Sequence, residues 1–139
     1  MSQLVLDDQL DVVEILPPLL KWITATRLQV LRPRQLILDD RVPEVLRSLK
    51  RPTFVTIDHG FWKRALCHPE YCILYFALAK DQQDRLPDLL RRAFHCAEFR
   101  TRKLRMGKVA RVISERVDYY DWGQKGRFRV SLPTNVYYR

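Results

Sequence analysis

Thr53-Phe54-Val55-Thr56-Ile57-Asp58-His59-Gly60-Phe61 is the stretch on which the reading of the chain turns. Phe54, Val55 and Ile57 have the bulk and branching that suit a short buried strand. Pro52 marks where it starts and Gly60 where it stops. Asp58 then falls at the carboxyl end of the strand. In an open parallel sheet that is the edge where ligands bind. The expectation is that other acids converge on Asp58 and that together they hold a divalent cation.

Working outward, hydrophobic spacing alternates between strand and helix. Gln3-Leu4-Val5-Leu6 reads as a strand that ends at Asp7-Asp8. Leu10 to Ala25 has the three-to-four spacing of a helix, with Pro17-Pro18 placed in its first turn. Leu28-Gln29-Val30-Leu31 reads as a second strand. Asp39 or Asp40 then caps a helix with Val42, Val45, Leu46 and Leu49 on one face. After the central stretch, Phe61 to Leu66 reads as a short helical turn. Cys72 to Leu78 is a near-continuous apolar run, as expected of a strand covered on both faces. Asp84 to Ala97 is the last long helix and Lys108 to Ile113 the last core strand. The order implies an α/β fold in three layers, α/β/α, around a central, mostly parallel sheet. Residues 1–116 form that body. Residues 117–139 form a C-terminal extension of it, opening with a β-hairpin turned at Gly123-Gln124-Lys125-Gly126. Leu132 to Arg139 has no assigned place.

Composition narrows the class. The chain has 139 residues, room for one core. Lys and Arg number 25 against 16 acids, a net charge of +9. That excess favours a polyanionic partner, with nucleic acid ahead of an anionic membrane. No apolar run approaches the ~18 residues of a membrane span. Met1-Ser2-Gln3-Leu4 lacks the start of a signal peptide. Cys67, Cys72 and Cys96 make an odd set without a Cys-x-x-Cys pair, which points to free thiols and a cytoplasmic setting. With His68 and His95 they match no standard zinc spacing.

The acids carry the chemistry. Asp7 and Asp8 follow the first strand, Asp39 opens a helix and Asp58 ends the third strand. Taken together they are the expected metal ligands, with Asp7, Asp39 and Asp58 as the catalytic set. Oxygen ligands of this kind suit Mg2+ or Mn2+. A cation held there activates water and neutralises charge developing on a phosphate. Basic residues are expected to bring in the strand: Lys63 and Arg64 just past Asp58, and Arg100, Arg102, Lys103 and Arg105 in the basic run from Arg91 to Arg111. Tyr119, Tyr120, Trp122, Phe128, Tyr137 and Tyr138 are candidates to stack on bases or to pack the hairpin.

Three segments resemble PIN-like nuclease domains. Gln3 to Leu10 is similar to that family's opening strand, Leu38 to Leu46 to its second acidic helix, and Phe54 to Phe61 to its Val-Thr-x-Asp-x-Asp-Phe segment. The resemblance spans residues 3 to about 114. It implies a Mg2+- or Mn2+-dependent ribonuclease acting on single-stranded or structured RNA, often the toxin of a toxin–antitoxin pair. It would admit an antitoxin protein or a second copy of the chain as partner. Asp7 and Asp58 match the core metal acids and Asp39 the helix acid. The departure is Gly60, which stands where the family has a fourth aspartate. Two alternatives follow. One is a weakened PIN-like domain that binds RNA or a partner protein without cleavage. The other is a phosphorelay receiver, for which Asp7, Asp8, Asp58 and Lys108 supply the outline.

Overall fold

The computed structural model describes residues 3–33 and 37–134. Tyr137 and Tyr138, and residues 135–139 of the tail generally, lie outside them. Seven strands form one sheet: β1 (Gln3–Leu6), β2 (Thr24–Arg27), β3 (Thr53–Thr56), β4 (Cys72–Phe76), β5 (Lys108–Val112), β6 (Arg116–Asp121) and β7 (Phe128–Ser131). Their spatial order is β2-β1-β3-β4-β5-β6-β7. The first five run parallel, and β6 and β7 add an antiparallel hairpin. The helices are α1 (Val12–Leu20), α2 (Leu28–Leu31), α3 (Val42–Arg47), α4 (Leu86–Ala93) and α5 (Arg102–Arg105), joined by short 3-10 turns.

Alternation along the strands builds two cores. Leu4, Leu6, Val55, Leu74, Phe76, Ala110 and Val112 point to one face and pack on Ile15 and Leu19 of α1 and Leu86 and Leu90 of α4. Val5, Phe54, Ile73 and Val109 point to the other and pack on Leu28, Val42, Leu46 and Phe61. The architecture is therefore α/β/α with a mostly parallel sheet. No described helix is long and apolar enough to cross a membrane.

Three elements differ from the sequence expectation. Leu28 to Leu31 is helical, and β2 lies just before it at Thr24–Arg27. The side chain of Asp8 explains the shift, because it accepts the Gln29 N–H at 2.8 Å and anchors the first turn. The first helix starts before its prolines: Asp11 accepts from the N–H groups of Val13 and Glu14, and Pro17 and Pro18 lie inside α1. The carbonyls these prolines leave without helical donors belong to Val13 and Glu14, both on the exposed side. The helix expected from Asp84 begins at Leu86, after a 3-10 turn over Lys80–Arg85.

The β5–β6 ladder joins the hairpin to the body, and Gly107 adds backbone bonds at its start. Gly107 donates to the Tyr71 carbonyl at 2.9 Å, and Trp122 donates to the Gly107 carbonyl at 2.8 Å. Gly107 sits at φ +94°, and a Cβ there would lie 3.1 Å from Asp121 Oδ1 and 3.2 Å from Trp122 Cβ. Gly107→Ala should therefore destabilise the fold by more than about 1 kcal/mol. Urea unfolding of parent and variant measures this, and an unchanged midpoint would contradict the packing described.

Candidate functional site

Order 2-1-3-4-5 reverses direction between β1 and β3, so a crevice opens at their carboxyl ends. Asp7 and Asp58 lie on that edge. Leu6 is in register with Val55, so the next residue, Asp7, falls beside Thr56. The fully buried Thr56 hydroxyl donates to Asp7 Oδ2 at 2.7 Å and accepts the Asp58 N–H at 3.0 Å. One side chain thus sets the spacing of both acids. Asp58 in turn accepts the Gly60 N–H at 2.9 Å and caps the 3-10 turn His59–Phe61.

Asp39 arrives from the other side, at the start of a 3-10 turn that runs into α3. Its carboxyl comes close enough to that of Asp58 for each to feel the other. Burial first, and then the neighbouring Asp58, Asp7 and Asp40, push the Asp39 carboxyl up. The Asp7 carboxyl is also pushed up, chiefly by burial, with repulsion from Asp58 and Asp8 added and the Thr56 bond opposing. Asp7, Asp39 and Asp58 therefore act on one another, as expected from the sequence. Among the described residues no three His, Cys, Asp or Glu side chains are gathered closely enough to chelate one ion. The acids brought together are Asp39 and Asp58, with Asp7 joined to Asp58 through Thr56. A cavity of about 430 Å3 adjoins the pair, lined by Asp39, Asp40, Gly60, Phe61, Lys63 and Leu66 among others.

The remaining expected residues divide. Asp8, expected as a fourth ligand, spends its carboxylate on the Gln29 N–H and is exposed. Lys63 lines the cavity and Arg64 lies close by on the same loop. Arg102 and Arg105 contact the opposite edge of the sheet: Arg102 donates to the Lys50 carbonyl, and Arg105 to Thr53, the first residue of β3. Arg100 and Lys103, exposed, flank them in sequence. Arg105 is fully buried. Its Nε donates to Thr53 Oγ1 at 3.0 Å, a second guanidinium nitrogen donates to the Phe99 carbonyl at 2.9 Å, and the group lies over the Phe94 ring. A side chain so placed joins elements and does not meet a nucleic acid. Lys108 opens β5 on that same far edge, paired with Asp121. It does not reach the carboxyl edge that a phosphorelay lysine would need. The three cysteines are free, with burial raising the thiols of Cys67, Cys72 and Cys96, the last two to about 12 and about 11.

Sequence reasoning named Arg111 only within the basic run and missed the row of residues it belongs to on the same sheet face as the acids. Thr56, Tyr75, Arg111, Asp118 and Arg129 are directly paired, strand to strand, in one row across β3 to β7. Each sits at a position of its strand whose alternate neighbours are apolar, which is the signal that could have found them. No protein-family model, curated protein or solved structure matches the chain.

A carboxyl held above its ordinary 3.8 costs stability once ionised. That cost is absent below the ordinary value, where folded and unfolded chains are both protonated, and complete above the raised one. Asp7→Asn keeps an acceptor for Thr56 and removes the charge. Its Tm should exceed the parent's at pH 7 and converge with it near pH 3. Equal loss of stability at both pH values would show that Asp7 is not under this strain.

Proposed function

We propose that the chain is a divalent-metal-dependent ribonuclease of the PIN-like type, acting on RNA. The observation that carries this reading is the meeting of Asp39 and Asp58 at the β1/β3 switch point, with Asp7 fixed beside them through Thr56. Carboxylates that repel one another gain from a cation between them. Mg2+ is commonly bound by one or two carboxylates and keeps several waters. The donor set fits that ion and Mn2+, with Asp39 and Asp58 holding it and Asp7 adding charge from behind. A cation so bound supplies an activated water and neutralises charge developing on a phosphate.

The chain's own residues do the rest. The Gly60 N–H and the Thr56 hydroxyl orient Asp58 before any substrate arrives. Lys63, exposed on the cavity wall, is placed to hold a phosphate beside the acids. His59, ring edge-on to Tyr75 at 5.6 Å, screens the other flank. The resemblance adds toxin–antitoxin biology as a setting, with an antitoxin as the partner to seek. Binding without cleavage is the second reading, favoured by Gly60 in place of the fourth acid and by the absence of a closed three-ligand group among the described residues.

Two measurements test the reading. Mn2+ at millimolar concentration should raise the parent's Tm, and the rise should vanish in Asp58→Asn. Single-stranded RNA should be cut by the parent with Mn2+, and by Asp58→Asn at least about a hundredfold more slowly, with an unchanged circular dichroism spectrum. Parental cleavage by the variant would remove Asp58 from the site. A metal-independent Tm together with no cleavage would favour the binding domain.

A further inference from the structure

Beyond the acids, the same sheet face carries a cationic surface built on the row described above. Asp118 is 1% exposed and sits between three arginines from three strands. Arg111 reaches it at 2.7 Å, Arg129 at 2.8 Å and Arg116 at 3.3 Å. Burial pushes the Asp118 carboxyl up, but the arginine hydrogen bonds and charges outweigh it and hold it at about 2. It is therefore a permanent anion around which three guanidinium groups are fixed.

The hub is not neutral. Three guanidinium groups bring about fifteen N–H donors, and one carboxylate offers about four acceptor sites. Two positive charges and most of the donors remain. Arg111 Nε is buried with no hydrogen-bond partner among the described residues. The three side chains keep 27%, 33% and 57% of their surface for Arg111, Arg116 and Arg129. Aromatic rings brace the cations further. Arg111 lies over Trp62 at 5.3 Å, Trp62 stacks on Tyr120 at 4.7 Å, and Arg64 lies over Tyr120 at 5.1 Å. Each ring thus has one guanidinium group and the other ring as close neighbours. Guanidinium groups stack on bases and pair with phosphates.

Continuity with the acids is set by register. Thr56 pairs with Tyr75, Tyr75 with Arg111, Arg111 with Asp118 and Asp118 with Arg129. Tyr75 feels both the Asp58 and the Arg111 charge, so it bridges the two regions. At about 4.8 Å per strand, the row runs roughly 19 Å from β3 to β7.

We propose that Arg64, Arg111, Arg116 and Arg129 form a sequence-independent track for a single RNA strand, leading its backbone along β7, β6 and β5 to the acids at the end of β3. The inference deepens the nuclease reading and rests on it for the choice of RNA. The occupant follows from charge and shape. A flat, braced set of guanidinium groups with excess charge fits a polyanion that also offers ring faces, as a nucleic acid does and an acidic peptide does not.

Binding is measured by fluorescence anisotropy with a fluorescein-labelled oligouridylate of about twelve nucleotides, on the full chain in EDTA. With metal absent, the outcome is independent of cleavage. A negative result sinks the track while leaving the acids to their own test. Arg116→Gln/Arg129→Gln should weaken binding about tenfold and lower the salt slope by about 1.4, the value for two lost phosphate contacts on a single strand. Arg64→Gln, which touches no buried pair, should weaken it several-fold and decides the matter should the double variant unfold. Arg100→Gln/Lys103→Gln, off this face, should stay within about twofold of the parent. The track is overturned if Arg64→Gln and the folded double variant bind like the parent, if the loss falls on Arg100 and Lys103 instead, or if poly-L-glutamate competes as well as RNA.

Discussion

The Thr56 hydroxyl is the joint on which the candidate site depends. It donates to Asp7 and accepts from the Asp58 backbone, and so binds the ends of two parallel strands into one unit. Its position is a consequence of sheet register. A slip of one residue between β1 and β3 would turn Asp7 into the α1 core and a leucine toward the crevice. The apolar alternation of Leu4, Val5 and Leu6 forbids that slip, because Leu4 and Leu6 belong to one core and Val5 to the other. The packing of the body thus fixes the geometry of the acids without any contact devoted to them alone.

Charge is distributed against the average of the chain. A protein of net +9 gathers Asp7, Asp8, Asp39, Asp40 and Asp58 at one edge. Burial and the neighbouring acids raise the carboxyls of Asp7 and Asp39 there. At the hub across the sheet the logic is inverted. Asp118 is buried, yet three arginines keep it charged, and their mutual repulsion is contained by the one anion they share. One region gathers carboxylates and the other has guanidinium groups in excess, and a single row of paired residues joins them.

Much of this was legible in the chain. The central strand, its terminal acid, the parallel sheet, the hairpin and the convergence of Asp7 and Asp39 on Asp58 follow from alternation and from the placement of acids at element ends. The second strand was not legible, since Thr24-Ala25-Thr26-Arg27 lies half exposed at the sheet edge, while Leu28 to Leu31 has the more apolar composition. Long-range bonds decided that case, notably Asp8 to Gln29. The place of the basic run in the fold was not legible for a similar reason. Local density pointed to Arg100 to Arg105, but density along the chain does not say which edge a turn occupies. Arg105 proved to be the most bulky fully buried side chain. Arg111, Arg116 and Arg129 are scattered in sequence and meet only through strand pairing.

Gly60 shows how the lack of a side chain shapes the site. Its N–H holds Asp58 Oδ1 at 2.9 Å, and a Cβ built on it would stand 3.2 Å from that same oxygen, closer than ordinary van der Waals contact. Any side chain at 60 must therefore press on the Asp58 carboxylate or shift it. Glycine leaves Asp58 undisturbed and supplies a backbone donor where an aspartate would have added a second negative charge. Under the proposed reading this favours a centre for one hydrated ion over a centre for two, since two carboxylates and water complete the shell of one Mg2+. The cationic row then takes on a larger share of the work. On that reading, the phosphates of an RNA strand would be positioned by the arginines that Asp118 holds in place.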